Sequence, residues 1–182
     1  MTPEYRYLGN VLRLIGKNEP KKTWVLKCPT HTICAHDLLK VFPDARLVFM
    51  HRDPAAVVSS ISSMVYKLRC LSEGEKTRPE RCGEQMLDNL DYAIRRLLDV
   101  RAQHSDNFMD VRYTDFIADP VKGVRAVYAR FDIPFTSATA AGIAGWFRDN
   151  PPGKHGSHRY TPEDFGLTAD GIRRRFDYYR DY

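Results

Sequence analysis

Arg52 and Ser60 carry the first chemical signal in this sequence. The apolar run at residues 45–51 predicts a strand, and Asp53 and Pro54 after it are residue types that start a helix. Ligands of parallel sheets bind beyond the carboxyl ends of the strands, and a helix N-terminus attracts anions. Because guanidinium can hold a phosphate with two parallel hydrogen bonds, this arrangement predicts a phosphate site. The structural alternative has Arg52 in an ion pair and Asp53-Pro54 only initiating the helix.

Lys27 and His31 form a second group of candidate residues. They follow a run of β-forming residues at 23–27, which predicts another strand of the same sheet. Both side chains would then lie at the same sheet edge as Arg52. A histidine there can take a proton from an alcohol, and a lysine can stabilise an anionic leaving group. His31 could equally be a surface residue or a neighbour of a helix cap.

Strands that alternate with helices position these residues and predict an α/β fold with a parallel sheet. The apolar strand at 45–51 suggests burial on both faces. Arg173-Arg174-Arg175 is expected on the solvated face of the last helix, and residues 71–80 as an exposed loop. The predicted helices are 4–17, 32–41, 54–68, 82–103, 120–131, 136–147 and 168–179, and the predicted strands are 23–27, 45–51 and 107–112.

Composition narrows the class of protein. The chain has 182 residues, about the size of one domain, and carries 28 Lys and Arg against 23 Asp and Glu, a net charge of +5. No basic stripe interleaved with aromatics is present, which argues against a nucleic-acid partner. No apolar run is long enough to span a bilayer, and no secretory signal is visible, so a cytoplasmic location is expected. The four cysteines have neither metal-site nor disulfide spacing, so no metal is expected.

Several motifs in order resemble the bacterial branch of the sulfotransferases that use 3'-phosphoadenosine-5'-phosphosulfate (PAPS). The resemblance covers residues 23–182, and residues 1–22 are predicted to form an N-terminal helix. Residues 1–182 are interpreted as one domain, the C-terminal portion of a sulfotransferase fold. The matching segments are 24–31, 42–46, 51–54 with Ser60, 111–116 with 119–120, 155–160 and 163–167.

The resemblance implies a cofactor site. Arg52 and Ser60, with seven residues between them, match the family's pair that binds the 3'-phosphate. Tyr113 falls where the family places an aromatic residue near the adenine. The C-terminal segment that folds over the 3'-phosphate contains Lys154, His158 and Arg159. The implied cofactor is PAPS or its product 3',5'-bisphosphoadenosine (PAP), with no metal.

The resemblance also implies a reaction. His31 matches the family's candidate general base, and Lys27 the basic residue just ahead of it. The sulfuryl group of PAPS would pass in line to a hydroxyl or amine of a small-molecule, glycan or lipid acceptor.

One family feature is missing from the sequence. A Ser-Gly-Thr or Gly-Lys-Ser/Thr string, which would hold the 5'-phosphosulfate through backbone N–H groups, does not occur. We therefore expect a P-loop-like parallel sheet of few strands without its N-terminal strand and loop, in a truncated chain that transfers sulfate poorly by itself. The alternative is a non-catalytic remnant that binds PAP or a partner; exposed sheet edges leave a homodimer open. A P-loop kinase is excluded because no Walker loop is present.

Overall fold

Helices make up most of this α/β chain, and two neighbouring parallel strands form its sheet. The computed structural model describes residues 1–19, 22–151, 153–154, 156 and 160–182. The strands are β1 (Leu47–His51) and β2 (Phe108–Arg112). The α-helices are α1 (Thr2–Ile15), α2 (Thr30–Ile33), α3 (Ala35–Val41), α4 (Pro54–Glu73), α5 (Pro79–Gln103), α6 (Tyr113–Ala118), α7 (Pro120–Arg130), α8 (Ser137–Asp149) and α9 (Ala169–Arg175).

Two helix starts follow directly from the sequence. The Ala55 backbone N–H donates to Asp53 Oδ1 at 3.0 Å, which caps α4. Asp119 caps α7 in the same way, accepting from the Lys122 N–H at 2.9 Å. In each case a proline occupies a first helical position, where its missing N–H costs nothing. The predicted starts of these helices are confirmed.

The predicted strand at residues 23–27 is wrong. Residues 22–28 have no regular structure, and Trp24, Val25 and Leu26 are 48%, 91% and 46% exposed. β-forming side chains make a strand only where a neighbouring strand accepts the ladder hydrogen bonds. Among the residues that the structure describes, only β1 and β2 are paired in a sheet.

The exposed loop expected at residues 71–80 is mostly helical. Helix α4 continues to Glu73, a 3-10 turn covers residues 74–76, and α5 begins at Pro79. Pro79, which read as loop punctuation, instead occupies the first turn of a helix. The expected helix at 32–41 is also divided, because α2 ends before Cys34 and α3 begins after it.

Strand β1 is not buried on both faces. Val48 and Met50 remain 46% and 37% exposed, whereas His51 is 5% exposed. Alternate residues of a strand point to opposite faces, so the described chain covers one face of β1 and leaves the other open. The expectation of two-sided burial is therefore wrong for these residues.

The chain divides into two compact units, residues 1–47 with 92–108 and residues 48–91 with 109–182. Buried apolar residues of the first unit include Tyr5, Leu38, Leu39, Ile94 and Leu97; those of the second include Val58, Cys82, Phe165, Ile172 and Phe176. In the helix predicted at 168–179, the apolar spacing predicts that Ile172, Phe176 and Tyr179 point inward. All three are buried, which confirms this, although α9 ends at Arg175 and a 3-10 turn follows. In the described part of the chain, no helix has the length and apolar character needed to cross a membrane.

Candidate functional site

The second unit contains a cavity of about 680 Å³ at the carboxyl ends of the two strands. Arg52 is the first residue after β1 and Tyr113 the first residue after β2. Because neighbouring parallel strands end at the same sheet edge, the two side chains meet, and the Arg52 guanidinium lies 4.7 Å from the centroid of the Tyr113 ring. Both residues line the cavity. For Arg52, the position just after a strand predicts a place at this edge of the sheet.

Both carboxylate oxygens of Asp53 have partners other than its neighbour Arg52. Its Oδ1 caps α4, and its Oδ2 accepts a hydrogen bond from Arg173 Nη2 at 2.7 Å. The Arg173 hydrogen bond is the main cause of a lowered pKa for the Asp53 carboxyl. Arg52 forms no ion pair with any residue in the described ranges, so the structural alternative accounts for Asp53 but not for Arg52.

The arginine triplet of α9 is not simply a solvated face, as its sequence suggested. Helix α9 packs against α4, which brings Arg173 to Asp53 and places Arg174 on the cavity wall. Arg175 pairs with Asp88 at 2.8 Å and with Asp91 at 3.0 Å. The cavity is lined by five arginines and three aspartates: Arg52, Arg112, Arg173, Arg174, Arg180, Asp53, Asp170 and Asp177. Its lining is therefore suited to an anion.

A buried network supports this cavity next to Arg52. His51 Nε2 lies 2.9 Å from Asp110 Oδ1, and His51 Nδ1 lies 2.6 Å from the Tyr179 hydroxyl. The Tyr182 ring stacks on the His51 ring with centroids 5.2 Å apart. Burial raises the pKa of Tyr179, so this hydroxyl stays protonated. Sequence reasoning missed the network, because His51 and Tyr179 are 128 positions apart and only the packing of the chain brings them together.

The other residues assigned to the cofactor lie outside the cavity lining or outside the described residues. Ser60 is half-buried within α4 and is not a lining residue. Lys154 is exposed, and its Nζ donates to the Asp149 carbonyl at 2.8 Å and to Asn150 Oδ1 at 3.1 Å at the end of α8. His158 and Arg159 lie outside the described residues.

In the first unit, His31 is hydrogen-bonded to a residue that sequence reasoning did not single out. Its Nδ1 lies 2.9 Å from the hydroxyl of Tyr5, which is 4% exposed. Burial lowers the pKa of His31, and burial is also the main reason why the pKa of Tyr5 rises to about 12. With the proton on Nδ1, the ring donates to Tyr5 Oη and Nε2 keeps its lone pair for proton transfer. Tyr5 lies in the first helix, 26 positions before His31, and no sequence pattern there indicates a contact with a histidine.

His31 lies on the wall of a second cavity, of about 830 Å³, within the first unit. Much of the lining is apolar and includes Trp24, Leu26 and Phe42. Lys27 is exposed and does not line this cavity. A neutral imidazole thus faces a volume that fits an apolar molecule. Among the described side chains of both units, no group of three or more His, Cys, Asp and Glu is arranged to hold a metal.

Two solved sulfotransferase structures resemble this chain. The crystal structure of sulfotransferase STF9 from Mycobacterium avium superimposes with a TM-score of 0.88 at 28% identity, over 100% of this chain and 46% of that one. Sulfotransferase STF1 from Mycobacterium tuberculosis gives a TM-score of 0.74 at 30% identity, over 91% of this chain and 42% of that one.

Curated relatives and a family model agree with these structures. The omega-hydroxy-beta-dihydromenaquinone-9 sulfotransferase Stf3 of Mycobacterium bovis and of Mycobacterium tuberculosis is 27% identical over 82% of this chain. The chain spans 39% of the length of these relatives. A model of the sulfotransferase family matches residues 5–137, which is most of the sequence. The chain therefore belongs to the sulfotransferase family.

Proposed function

We propose that this chain binds PAPS and takes part in transfer of its sulfuryl group to a hydroxyl or amine acceptor. The observation that carries the proposal is the Arg52 guanidinium over the Tyr113 ring, without an ion-pair partner among the described residues, in a cavity lined by five arginines. A volume of about 680 Å³ is within the usual size range of small-molecule sites. Membership of the family gives this function priority over a simple binding module.

Arg52 binds the 3'-phosphate of the nucleotide in this proposal. A guanidinium without a carboxylate partner can offer both arms of its fork to a phosphate. Tyr113 holds the guanidinium from one side and presents an aromatic surface to the adenine. The resemblance to the family also assigns Ser60, Lys154, His158 and Arg159 to this phosphate, and these four assignments stay predictions.

His31 is the proton acceptor of the proposed reaction. PAPS, when bound, supplies the sulfuryl group and leaves as PAP. As the new bond forms between the acceptor oxygen and sulfur, the acceptor proton passes to His31 Nε2. Tyr5 keeps the ring in the required orientation through its contact with Nδ1 at 2.9 Å. Lys27 adds positive charge beside the site without a contact to His31.

The acceptor that best fits is an apolar alcohol. The cavity on which His31 lies has Trp24, Leu26 and Phe42 in its lining, so the body of the acceptor would be buried against carbon. The relatives named for omega-hydroxy-beta-dihydromenaquinone-9, a menaquinone-derived lipid, support a lipid-like acceptor for this chain.

Titration with PAP tests the nucleotide half of the proposal. Charge-assisted hydrogen bonds contribute about 1.5–3 kcal/mol, so Arg52→Ala should weaken PAP binding about 10- to 100-fold. Arg148→Ala is the matched control, because Arg148 is an exposed arginine outside the cavity and its ion-pair partner among the described residues is its neighbour Asp149. Equal affinities of the two variants would remove the assigned role of Arg52.

A PAPS-dependent transfer assay with a panel of hydroxylated lipids tests the chemical half. The sequence contains no phosphosulfate-binding string, so we expect slow turnover by residues 1–182 despite PAP binding. His31→Ala should abolish the remaining turnover and leave PAP affinity unchanged. PAP binding without any transfer, also after fusion to a phosphosulfate loop of a relative, would favour the non-catalytic alternative.

A further inference from the structure

A third cavity, of about 400 Å³, lies in the second unit where α4 ends and α5 begins. Four of its lining residues are cationic: Arg69, Lys76, Arg78 and Arg81. Its one carboxylate, Glu73, accepts a long hydrogen bond from the Thr77 hydroxyl at 3.5 Å. Within the described ranges, none of the four cations forms an ion pair with Glu73 or with another carboxylate. The described side chains therefore leave a concentrated positive charge in this cavity without a neutralising carboxylate.

This charge lies where the backbone disfavours it. Helix α5 is 25 residues long, and the partial positive charge of its N-terminus adds to that of Arg78 just before the helix and Arg81 in its first turn. The first turn offers Glu80 as its acidic residue. Like charges at a helix N-terminus cost stability. Such a departure from the usual placement of charge is typical of a binding site.

Two further polar groups suit the cavity to an oxyanion that carries a hydroxyl or a bound water. Gln85 Oε1 is buried and has no hydrogen-bond partner among the described residues, so it can accept from such a donor. Thr77 is buried and lines the same space. Guanidinium groups match the tetrahedral oxygens of a phosphate in geometry as well as in charge.

The cavity is separate from the proposed nucleotide site. Arg52 precedes the first residue of α4, whereas Arg69 lies near the C-terminal end of the same helix. A rise of 1.5 Å per residue over the 15 residues from Pro54 to Arg69 gives about 22 Å along the helix axis. A single nucleotide cannot fill both sites.

We propose that this cavity binds a dianionic phosphate group, inorganic or in a monoester, as a second anion site of the protein. Three groups of molecules carry this chemistry: inorganic phosphate, soluble sugar or polyol phosphates, and lipids with a phosphomonoester headgroup. Four cations against one carboxylate favour a doubly charged group over a singly charged diester. The site does not depend on PAPS binding at Arg52.

Residue-resolved NMR tests the site on the ¹⁵N-labelled chain at pH 7.5 and constant ionic strength. Inorganic phosphate should shift the amides of residues 76–78 and 80–86, and Arg81→Gln or Arg69→Gln should weaken that binding tenfold or more. Lys67→Gln is the matched control, because Lys67 is an exposed cation of α4 outside the cavity and its loss changes the net charge equally. Its affinity for phosphate should stay within twofold of the wild type.

Two further arms identify the source of the phosphate. Glycerol 3-phosphate and phosphatidylcholine vesicles with added phosphatidic acid are compared with inorganic phosphate, and tighter binding of either one identifies the soluble or the lipid ligand. Arg81→Lys, which keeps the charge but not the fork, should retain intermediate affinity and guards against a folding artefact. Absence of shifts at residues 76–78 and 80–86 with all three probes, or equal weakening by Lys67→Gln, overturns the proposal. PAP-induced shifts near Arg52 report the nucleotide site independently.

Discussion

The link between Asp53 and Arg173 gives a sharp test of how the α4 N-terminus is built. Asp53 does two separate things there, because Oδ1 caps α4 through the Ala55 N–H and Oδ2 accepts from Arg173 Nη2. Asp53→Ala removes both contacts. Asp53→Asn keeps a capping oxygen and loses the ion pair, and Arg173→Gln loses the pair from the other side.

The expected magnitudes differ enough to separate the two roles. Loss of an N-cap costs about 1 kcal/mol. The Asp53–Arg173 pair is 42% and 55% exposed in its side chains, so solvent screening limits its contribution to about 0.2–1 kcal/mol. Asp53→Ala should therefore lower the free energy of unfolding by about 1.5 kcal/mol. Asp53→Asn and Arg173→Gln should each lower it by about 0.5 kcal/mol.

The effect should also depend on pH. The pKa of Asp53 is lowered in the folded chain, chiefly by the Arg173 hydrogen bond. Its contribution to stability is thus present above the unfolded pKa of about 3.9 and is lost as the pH falls through the folded pKa. Urea unfolding at pH 7 and near pH 3 measures it, and the gap between wild type and Asp53→Asn should shrink at the lower pH.

Two results would refute this reasoning. Equal destabilisation by Asp53→Asn and Asp53→Ala would mean that the cap contributes nothing. A gap between wild type and Asp53→Asn that stays the same at both pH values would mean that the carboxylate charge is not involved. Arg173→Gln also has a functional consequence: the released Asp53 can compete for Arg52, so PAP affinity should fall several-fold.

Three further predictions concern His31, two cysteines and one glycine. Burial lowers the pKa of His31, so its contribution to stability is present above about pH 6.5 and lost as the pH falls through the folded pKa. His31→Gln should therefore flatten the decline of unfolding free energy between pH 7.5 and 5.5, and parallel curves for the two proteins would contradict this. The pKa of exposed Cys28 is lowered, mainly by a hydrogen bond with a threonine, whereas burial raises the pKa of Cys34. Iodoacetamide should therefore label Cys28 before Cys34 in peptide mass mapping, and equal labelling rates would contradict this order. A Cβ at Gly83 would lie 2.3 Å from the Phe165 carbonyl oxygen, so Gly83→Ala should cost about 1–3 kcal/mol in urea unfolding, and a stabilised variant would show that the two backbones can separate.

Local rules explain the parts of the fold that sequence reasoning predicted well. The caps at Asp53 and Asp119 and the inward positions of Ile172 and Phe176 depend on residues close in sequence, and all are confirmed. The wrong strand at residues 23–27 has the opposite origin. A strand exists only with a partner, and no local pattern specifies one.

Part of the candidate site could likewise be predicted. Arg52 and Tyr113 meet because each directly follows a strand of the same parallel sheet. The position of a residue just after a predicted strand can be recognised in the sequence. The contact between Tyr5 and His31 was not predictable, since it depends on how the first helix packs within its unit. The roles proposed for Arg52, Tyr113 and His31 come from the family motifs of the sequence. The contacts in the structure explain why these side chains are available for the proposed roles.

The sequence by itself determined that this is an α/β chain of the sulfotransferase type. It also determined where the main helices begin and that Arg52 directly follows a strand. Only the tertiary structure decided which charges are neutralised. Packing of α9 on α4 brings Arg173 to Asp53 across 120 positions, and Arg52 is thereby left without a carboxylate partner in the part of the chain that the structure describes. Local patterns act through neighbours within a few residues, whereas pairing of distant charges depends on the three-dimensional path of the chain.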